Sequence, residues 1–269
     1  MSDILERRQL SRSSDRRIVL IIPARNEALA LPSVLASVPD LIDCVIVVDN
    51  GSTDGTGAVA RSCGAEVVFE DSPGYGSACL AGIAALADYP PQIVAFADGD
   101  GSDGVENLPV LLQSLLDGTV DLTLARRVPD TGEALSLQQR FGNGLATCLI
   151  HLFWGFKYHD LGPMRAITWE ALQALHMADR DFGWTVEMQI KAVIAHLRVV
   201  EYSLPYHVRV AGQSKISRTL NGVVRAGSKI LWVIGRELVR KKRGIKALLT
   251  YSRGLTLTHS VVSKEVEKQ

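Results

Sequence analysis

Apolar positions along the chain fall into short β-branched runs that alternate with longer stretches at helical spacing. Ile18-Val19-Leu20-Ile21-Ile22, bounded by Pro23, has the length and composition of a buried parallel strand. Leu29–Val38 follows with apolar residues at helical intervals and Pro32 in its first turn. Val45-Ile46-Val47-Val48 is a second strand, succeeded by a helix to about Ser62, and Glu66–Phe69 is a third, short strand. Pro73-Gly74-Tyr75-Gly76-Ser77-Ala78 opens a helix of small residues through Ala87. The run from Ile93 is the next strand, Leu108–Leu116 a helix and Leu122-Thr123-Leu124-Ala125 a strand. Glu133–Phe156 is a long, largely apolar helical stretch weakened by Gly142 and Gly144. Val186–Leu197 carries one apolar stripe, and Val199–Leu204 is a late edge strand stopped by Pro205. Strand and helix patterns alternating in this way predict an α/β fold on a doubly wound, mostly parallel sheet.

The polar breaks between these runs are where chemistry gathers. Loops 23–27, 49–56 and 98–103 each follow a strand, so a doubly wound sheet collects them in one crevice at its carboxyl edge, a nucleotide site by geometry. In the third loop Asp98 and Asp100 alternate, and an extended backbone puts both carboxylates on one face. Two hard oxygen ligands suit Mg²⁺ or Mn²⁺, which take one or two carboxylates and complete their shell with water and substrate phosphate. Asp49 is placed to accept hydrogen bonds from a base or ribose, and the loop amides and helix N-termini to face phosphate. Singly, each loop reads as a cap and a turn; three on successive strand ends do not. Two familiar nucleotide sites are excluded. Cys79 stands where a dinucleotide fingerprint starting at Gly74 needs its third glycine, and Pro23–Glu27 contains no glycine at all. A phosphate-binding P-loop is missing too.

Composition narrows the picture further. With 269 residues, 47% of them apolar, the chain can bury a substantial core in one large domain or two small ones. Lys and Arg balance Asp and Glu at 29 each, so no global field argues for nucleic acid. Four scattered cysteines without a Cys-x-x-Cys pair suit a reducing cytosol rather than a disulfide framework or structural zinc. The polar stretch Met1–Arg17 lacks the apolar region of a secretory signal, and no uncharged apolar run reaches the length of a membrane span. Residues 1–16 read as a disordered tail, 17–216 as the α/β domain, 217–249 as a basic amphipathic helical extension and 250–269 as a loose tail.

At this point the motifs resemble a known family. Pro-Ala-Arg-Asn-Glu at 23–27, Val-Val-Asp-Asn-Gly-Ser-Thr-Asp-Gly-Thr at 47–56, Gly-Tyr-Gly-Ser-Ala at 74–78 and Ala-Asp-Gly-Asp-Gly-Ser-Asp at 97–103 look like family 2 glycosyltransferases of the GT-A fold. Within it they most resemble the dolichyl-phosphate mannose and glucose synthase branch. Arg126, Arg140, the segment Asp160–Ala166 and Arg209-Val210-Ala211-Gly212-Gln213-Ser214-Lys215 extend the likeness over roughly residues 17–216. The resemblance implies a Rossmann-like α/β/α sandwich that transfers a sugar, with inversion, from a UDP- or GDP-sugar to a polyprenyl phosphate. Pro23, Arg25, Glu27 and Asp49 would hold the donor nucleoside. Asp98 and Asp100 would flank its diphosphate, with Asp100 the firmer ligand to Mg²⁺ or Mn²⁺; Ser102 stands where some relatives carry a Gln that reaches the metal. Asp160 would serve as base for a hydroxyl acceptor, and Arg126 would answer charge on the leaving phosphate. Arg140, Arg209, Ser214 and Lys215 would contact phosphate. The acceptor-side loop Asp181-Phe182-Gly183-Trp184 leads to Glu187.

After Lys215 the chain changes character: nine Lys and Arg from Arg218 to Lys246 face one acid, Glu237, with Trp232 and aliphatic residues between them. Such a helix lies at an anionic membrane surface or docks on its own domain. The expected place is therefore the cytoplasmic membrane face, held peripherally; homo-oligomerisation is left open. A soluble acceptor, or nucleotide-sugar binding without catalysis, are the alternatives. A nucleotidyltransferase would need a glycine-rich signature after the first strand.

Overall fold

The β-branched runs form the strands β1 (Ile18–Ala24), β2 (Cys44–Asp49), β3 (Glu66–Phe69), β4 (Ile93–Phe96), β5 (Leu122–Pro129), β6 (Arg165–Thr168) and β7 (Val199–Tyr206). The structure is a computed structural model that describes residues 17–131, 134–210 and 227–241. The strands make one sheet in the order β3-β2-β1-β4-β6-β5-β7. All neighbours pair in parallel except β6, which runs antiparallel between β4 and β5. β6 left no mark in the apolar pattern because its sequence, Arg-Ala-Ile-Thr, holds no β-branched apolar run and opens on a buried arginine. From β1 the chain steps outward to β2 and β3 and then returns to place β4 on β1's other side. That reversal opens a crevice at the strands' carboxyl ends, where such sheets take ligands.

Helices α1 (Leu31–Ala36), α2 (Thr56–Ser62), α3 (Tyr75–Ala84), α4 (Leu108–Leu116), α5 (Leu137–Trp154), α6 (Trp169–Leu175) and α7 (Trp184–Ile194) cover the sheet. Residues 227–241 form a further helix, α8. Strand alternation sorts the core into two layers. Val19, Ile21, Val94 and Phe96 pack under α3, α5, α6, α7 and α8, whereas Ile18, Leu20, Ile22 and Ala95 pack under α1, α2 and α4. The largest fully buried side chain is Trp184, edge-on to Phe96 at 4.8 Å. Each aliphatic side chain so buried contributes about 1.5–3 kcal/mol.

Two helices begin later than the apolar spacing suggests. α1 starts at Leu31 rather than Leu29 because the amides of Glu27 and Ala28 are taken by Thr56 and Asp54, which turns the chain first. α5 starts at Leu137, where Ser136 and Gln139 exchange the two hydrogen bonds of a capping box. The helix α6, capped by Thr168, follows directly from the unexpected β6.

α8 is docked on the domain. Val233 and Ile234 are buried in the core beside α7. Arg236 reaches Glu187 at 2.7 Å and Asp179 at 3.6 Å, and Lys229 reaches Asp179 at 3.2 Å. Two of the basic residues read as membrane-facing are thus spent on buried carboxylates. Residues 217–226 and 242–249 of that extension, like the tails 1–16 and 250–269, lie outside the described residues.

Candidate active site

Side by side at the carboxyl edge, β1, β2 and β4 deliver three loops that hold one another. Asn26 takes the left-handed backbone conformation (φ 53°), from which its amide donates to Ser52 Oγ at 3.0 Å and its side-chain oxygen accepts from the Thr53 amide at 2.8 Å. Glu27 N donates to Thr56 Oγ1 at 2.9 Å. Asp49, buried at the end of β2, accepts from the amides of Ser52 (2.9 Å) and Gly57 (3.2 Å). Each of its oxygens retains a second acceptor direction. Asn50 extends the network: its amide nitrogen donates to the carbonyls of Glu70 and Ser72, and its oxygen accepts from Gly74 N. Pro23 and Glu27 are half-buried along this edge and Arg25 is exposed.

The helix N-termini do not point at this crevice as open anion sites. At α2, the Gly57 amide is bound to Asp49 and the Thr56 amide to Asp54. At α3, Ser77 N donates to the Arg180 carbonyl at 2.9 Å. Gly74 and Gly76 are required here for close packing: a Cβ at either would lie 2.1 Å from a carbonyl oxygen of Arg180 or Asp179. This is the structural reason for the Gly74-Tyr75-Gly76 motif.

The Asp98–Asp103 loop gathers three carboxylates. Asp103 Oδ2 accepts from Asp98 N at 2.8 Å, and its buried Oδ1 has no hydrogen-bond partner among the described residues. Asp100 is buried. Its Oδ1 accepts from Ser102 N (2.9 Å) and Ser102 Oγ (2.6 Å), and its Oδ2 lies 2.6 Å from Arg209 Nη2. Arg209 also reaches Glu27 at 3.4 Å, bridging the first and third loops. Burial, and then the neighbouring Asp100, push the Asp98 carboxyl up to about 7; burial and Asp98 likewise push Asp103 well above the carboxylate range. Three crowded carboxyls, one with an unpartnered oxygen, fit the neighbourhood of a hard divalent cation. Among the described residues no group of three or more His, Cys, Asp or Glu side chains is placed to hold a metal ion by itself. Ions such as Mg²⁺ and Mn²⁺ need only one or two carboxylates, filling the shell from phosphate and water.

On the other side of the crevice, Asp160 is committed to Arg127. Its Oδ2 accepts from Arg127 Nε (2.7 Å) and N (2.9 Å), and its Oδ1 from Arg127 Nη2 (2.8 Å) and Leu161 N (2.9 Å). The neighbouring Arg126, singled out from the sequence, is exposed on the opposite side of β5. Arg165 does not pair with Asp160; it is wholly buried and donates to the carbonyls of Gly162, Pro163 and Thr185. Arg140 is exposed in the first turn of α5. Three residues on, Asn143 holds the Asp160 loop by accepting from Leu161 N at 2.8 Å. Ser214 and Lys215 lie outside the described residues. Glu187 is fully buried beneath α8 and accepts from the amides of Ala178 and Asp179.

Fold and site together define a GT-A enzyme, with acidic loops at the switch point of a mostly parallel α/β sheet. Residues 19–166 match the family described as Glycosyl transferase family 2. An uncharacterized glycosyltransferase of Mycobacterium tuberculosis is 40% identical over 209 residues, covering 78% of this chain and 94% of the relative. The undecaprenyl-phosphate mannosyltransferase of Micrococcus luteus is 30% identical over 254 residues, covering 87% and 99%. Glucosyl-3-phosphoglycerate synthase from M. tuberculosis, solved with Mn²⁺, UDP and glucosyl-3-phosphoglycerate, superposes with a TM-score of 0.64 at 25% identity, covering 87% and 84%. The chain belongs to glycosyl transferase family 2 and is a glycosyltransferase.

Proposed function

We propose that this enzyme transfers a hexosyl group, with inversion, from a UDP- or GDP-sugar to a polyprenyl phosphate at an anionic membrane surface. The observation that carries the acceptor class is the commitment of both Asp160 oxygens to Arg127 and Leu161. Taking a proton from an acceptor hydroxyl would first require breaking that pair. An acceptor phosphate is already ionised and needs no base. Asp160 then shapes the acceptor side and orders Arg127. Arg126 and Arg140, carried beside Arg127 and Asn143, are the proposed phosphate contacts there, joined by Ser214 and Lys215.

On the donor side, Pro23, Arg25, Glu27 and Asp49 line the proposed nucleoside pocket. Asp100 with Asp98 would hold Mg²⁺ or Mn²⁺, which when bound stabilises charge on the leaving diphosphate. Arg209 balances Asp100 in this structure and is positioned to turn to the diphosphate instead. The M. tuberculosis synthase that superposes on this fold was solved with Mn²⁺ and UDP, which supports a metal-dependent uridine donor.

Two further observations support a lipid. The M. luteus relative is named for transfer to undecaprenyl phosphate. On α5, the helix that holds the Asp160 loop, Leu137 (81% exposed), Phe141 (74%), Leu145 and Leu152 form one outward apolar stripe. No helix among the described residues is long and apolar enough to cross a membrane, so the proposed attachment is peripheral. A soluble phosphorylated acceptor is the second reading, favoured by the product bound in the M. tuberculosis synthase. The test is a transfer assay with the full-length protein, UDP- and GDP-hexoses, and either undecaprenyl phosphate in anionic vesicles or 3-phosphoglycerate, with Mn²⁺ or with chelator. Metal-dependent labelling of the lipid is expected; labelling of phosphoglycerate alone would give the second reading.

A further inference from the structure

Tyr206, the last residue of β7, is buried with its hydroxyl 3.1 Å from Ser102 Oγ. Ser102 is buried too, and its hydroxyl lies 2.6 Å from Asp100 Oδ1. Proton counting fixes the direction of this chain. A serine hydroxyl has one proton, and an ionised carboxylate can only accept. The Ser102 proton therefore goes to Asp100, at the short distance of a charge-assisted bond. Its contact with Tyr206 must be filled by the phenol's proton. Burial keeps the phenol protonated, and the Arg127 guanidinium, 5.3 Å from the ring centroid, favours donation from it.

The backbone follows the same path. Beyond β7 the chain runs along the acidic loop, with His207 N donating to Ser102 O at 2.9 Å and Val210 N to Asp100 O at 3.1 Å. Asp100 Oδ1 thus has two donors from Ser102, fixing the carboxylate's orientation, and Oδ2 is the oxygen turned to a cation, here the Arg209 guanidinium.

We infer that Tyr206 is a positioning residue which, through Ser102, orients Asp100 so that one oxygen, Oδ2, is offered to the donor's divalent ion. The inference rests on the reading of Asp100 as a metal ligand. It assigns Ser102 to the orientation of the ligand rather than to the metal. Partners of this sort, one step removed from a metal, change affinity by about 10- to 100-fold when lost.

The test is Mn²⁺ titrated into the full-length protein with saturating UDP, free Mn²⁺ being read by electron paramagnetic resonance. Tyr206→Phe and Ser102→Ala should each weaken Mn²⁺ binding by about 10-fold or more. Tyr206→Phe should add nothing in the Ser102→Ala background, because it acts through that hydroxyl. Thermal unfolding of each variant accompanies the titration, and Ser102→Ala carries the test if Tyr206→Phe does not fold. Wild-type Mn²⁺ affinity in both single variants, or losses that simply add, would overturn the proposal. Asp100→Asn separates the two readings. If it binds Mn²⁺ as the wild type does, the metal assignment itself is wrong. If it loses Mn²⁺ while both single variants keep it, only the positioning role is wrong.

Discussion

Asp160, in the loop before β6, and Arg127, on β5, bring opposite charges into one largely buried pair, and each satisfies the other. Removing one partner of such a pair leaves an uncompensated charge and costs about 3–5 kcal/mol. Asp160→Ala should therefore lower the unfolding free energy by an amount in that range, read as a markedly lower urea midpoint. A variant as stable as wild type but catalytically dead would restore Asp160 as a base. Arg209 makes the opposite kind of prediction, because it is partly exposed and bridges two loops that other bonds already hold. Arg209→Gln should keep the unfolding temperature but weaken Mn²⁺-dependent binding of UDP or GDP, measured by calorimetry, by the roughly 1.5–3 kcal/mol of a charged hydrogen bond. Unchanged affinity would remove Arg209 from the phosphate site. At this scale the placement of Asp49, Asp98 and Asp100 at strand ends was legible, because loops rich in acids and glycine are visible in the pattern. Arg126, which the sequence singled out, is exposed on β5 beside Arg127, the residue that binds Asp160. β5 continues to Pro129, and its alternation turns 126 outward and 127 inward, a parity hidden while the strand was taken to stop at Ala125. Tyr206 was hidden because its partner Ser102 lies 104 residues away.

α8 shows what an element can conceal. Its lysines and arginines read as facing a membrane or solvent until Asp179, before α7, and Glu187, on it, are seen beneath them. Burial opposes ionisation of Glu187, but the amides of Ala178 and Asp179 and the Lys191 ammonium outweigh it, so its carboxyl titrates below the ordinary value of 4.5. A folded-state value below the unfolded one adds stability that is present above about pH 4.5 and lost as pH falls through the lower, folded value. Urea midpoints measured between pH 7 and pH 3 should show this acid loss in the wild type. Glu187→Gln should be less stable at pH 7 and show a flatter acid limb; an identical acid limb would contradict the assignment. The helix α5 was readable as a long, largely apolar stretch, but which residues stay outside was not, since a stripe of leucines in such a helix is ordinarily core. With Phe141 mostly exposed, Phe141→Asp should leave the fold intact and reduce co-sedimentation with anionic vesicles. Equal sedimentation of variant and wild type would take α5 out of the membrane contact.

Across the whole molecule, the sheet order explains why three distant loops act together. β1 lies between β2 and β4, so residues 24–28, 49–56 and 98–103 converge although up to about 80 positions separate them. Alternating strand and helix patterns were enough to expect this crevice. The antiparallel β6 was not foreseeable, yet it spaces β4 from β5, and the Arg127 of β5 still meets the acidic loop through Tyr206. On this account one side of the crevice holds a nucleoside diphosphate through a cation, and the other receives an acceptor that arrives already ionised. The most direct measurement compares matched acceptors, undecaprenyl phosphate and undecaprenol, in the same anionic vesicles, with the nucleotide-sugar that the enzyme uses and Mn²⁺. The account predicts a glycosyl phosphate lipid from the first, no product from the second, and none from either with Asp100→Asn. Glycosylated undecaprenol formed at a comparable rate, or full transfer by Asp100→Asn, would contradict it.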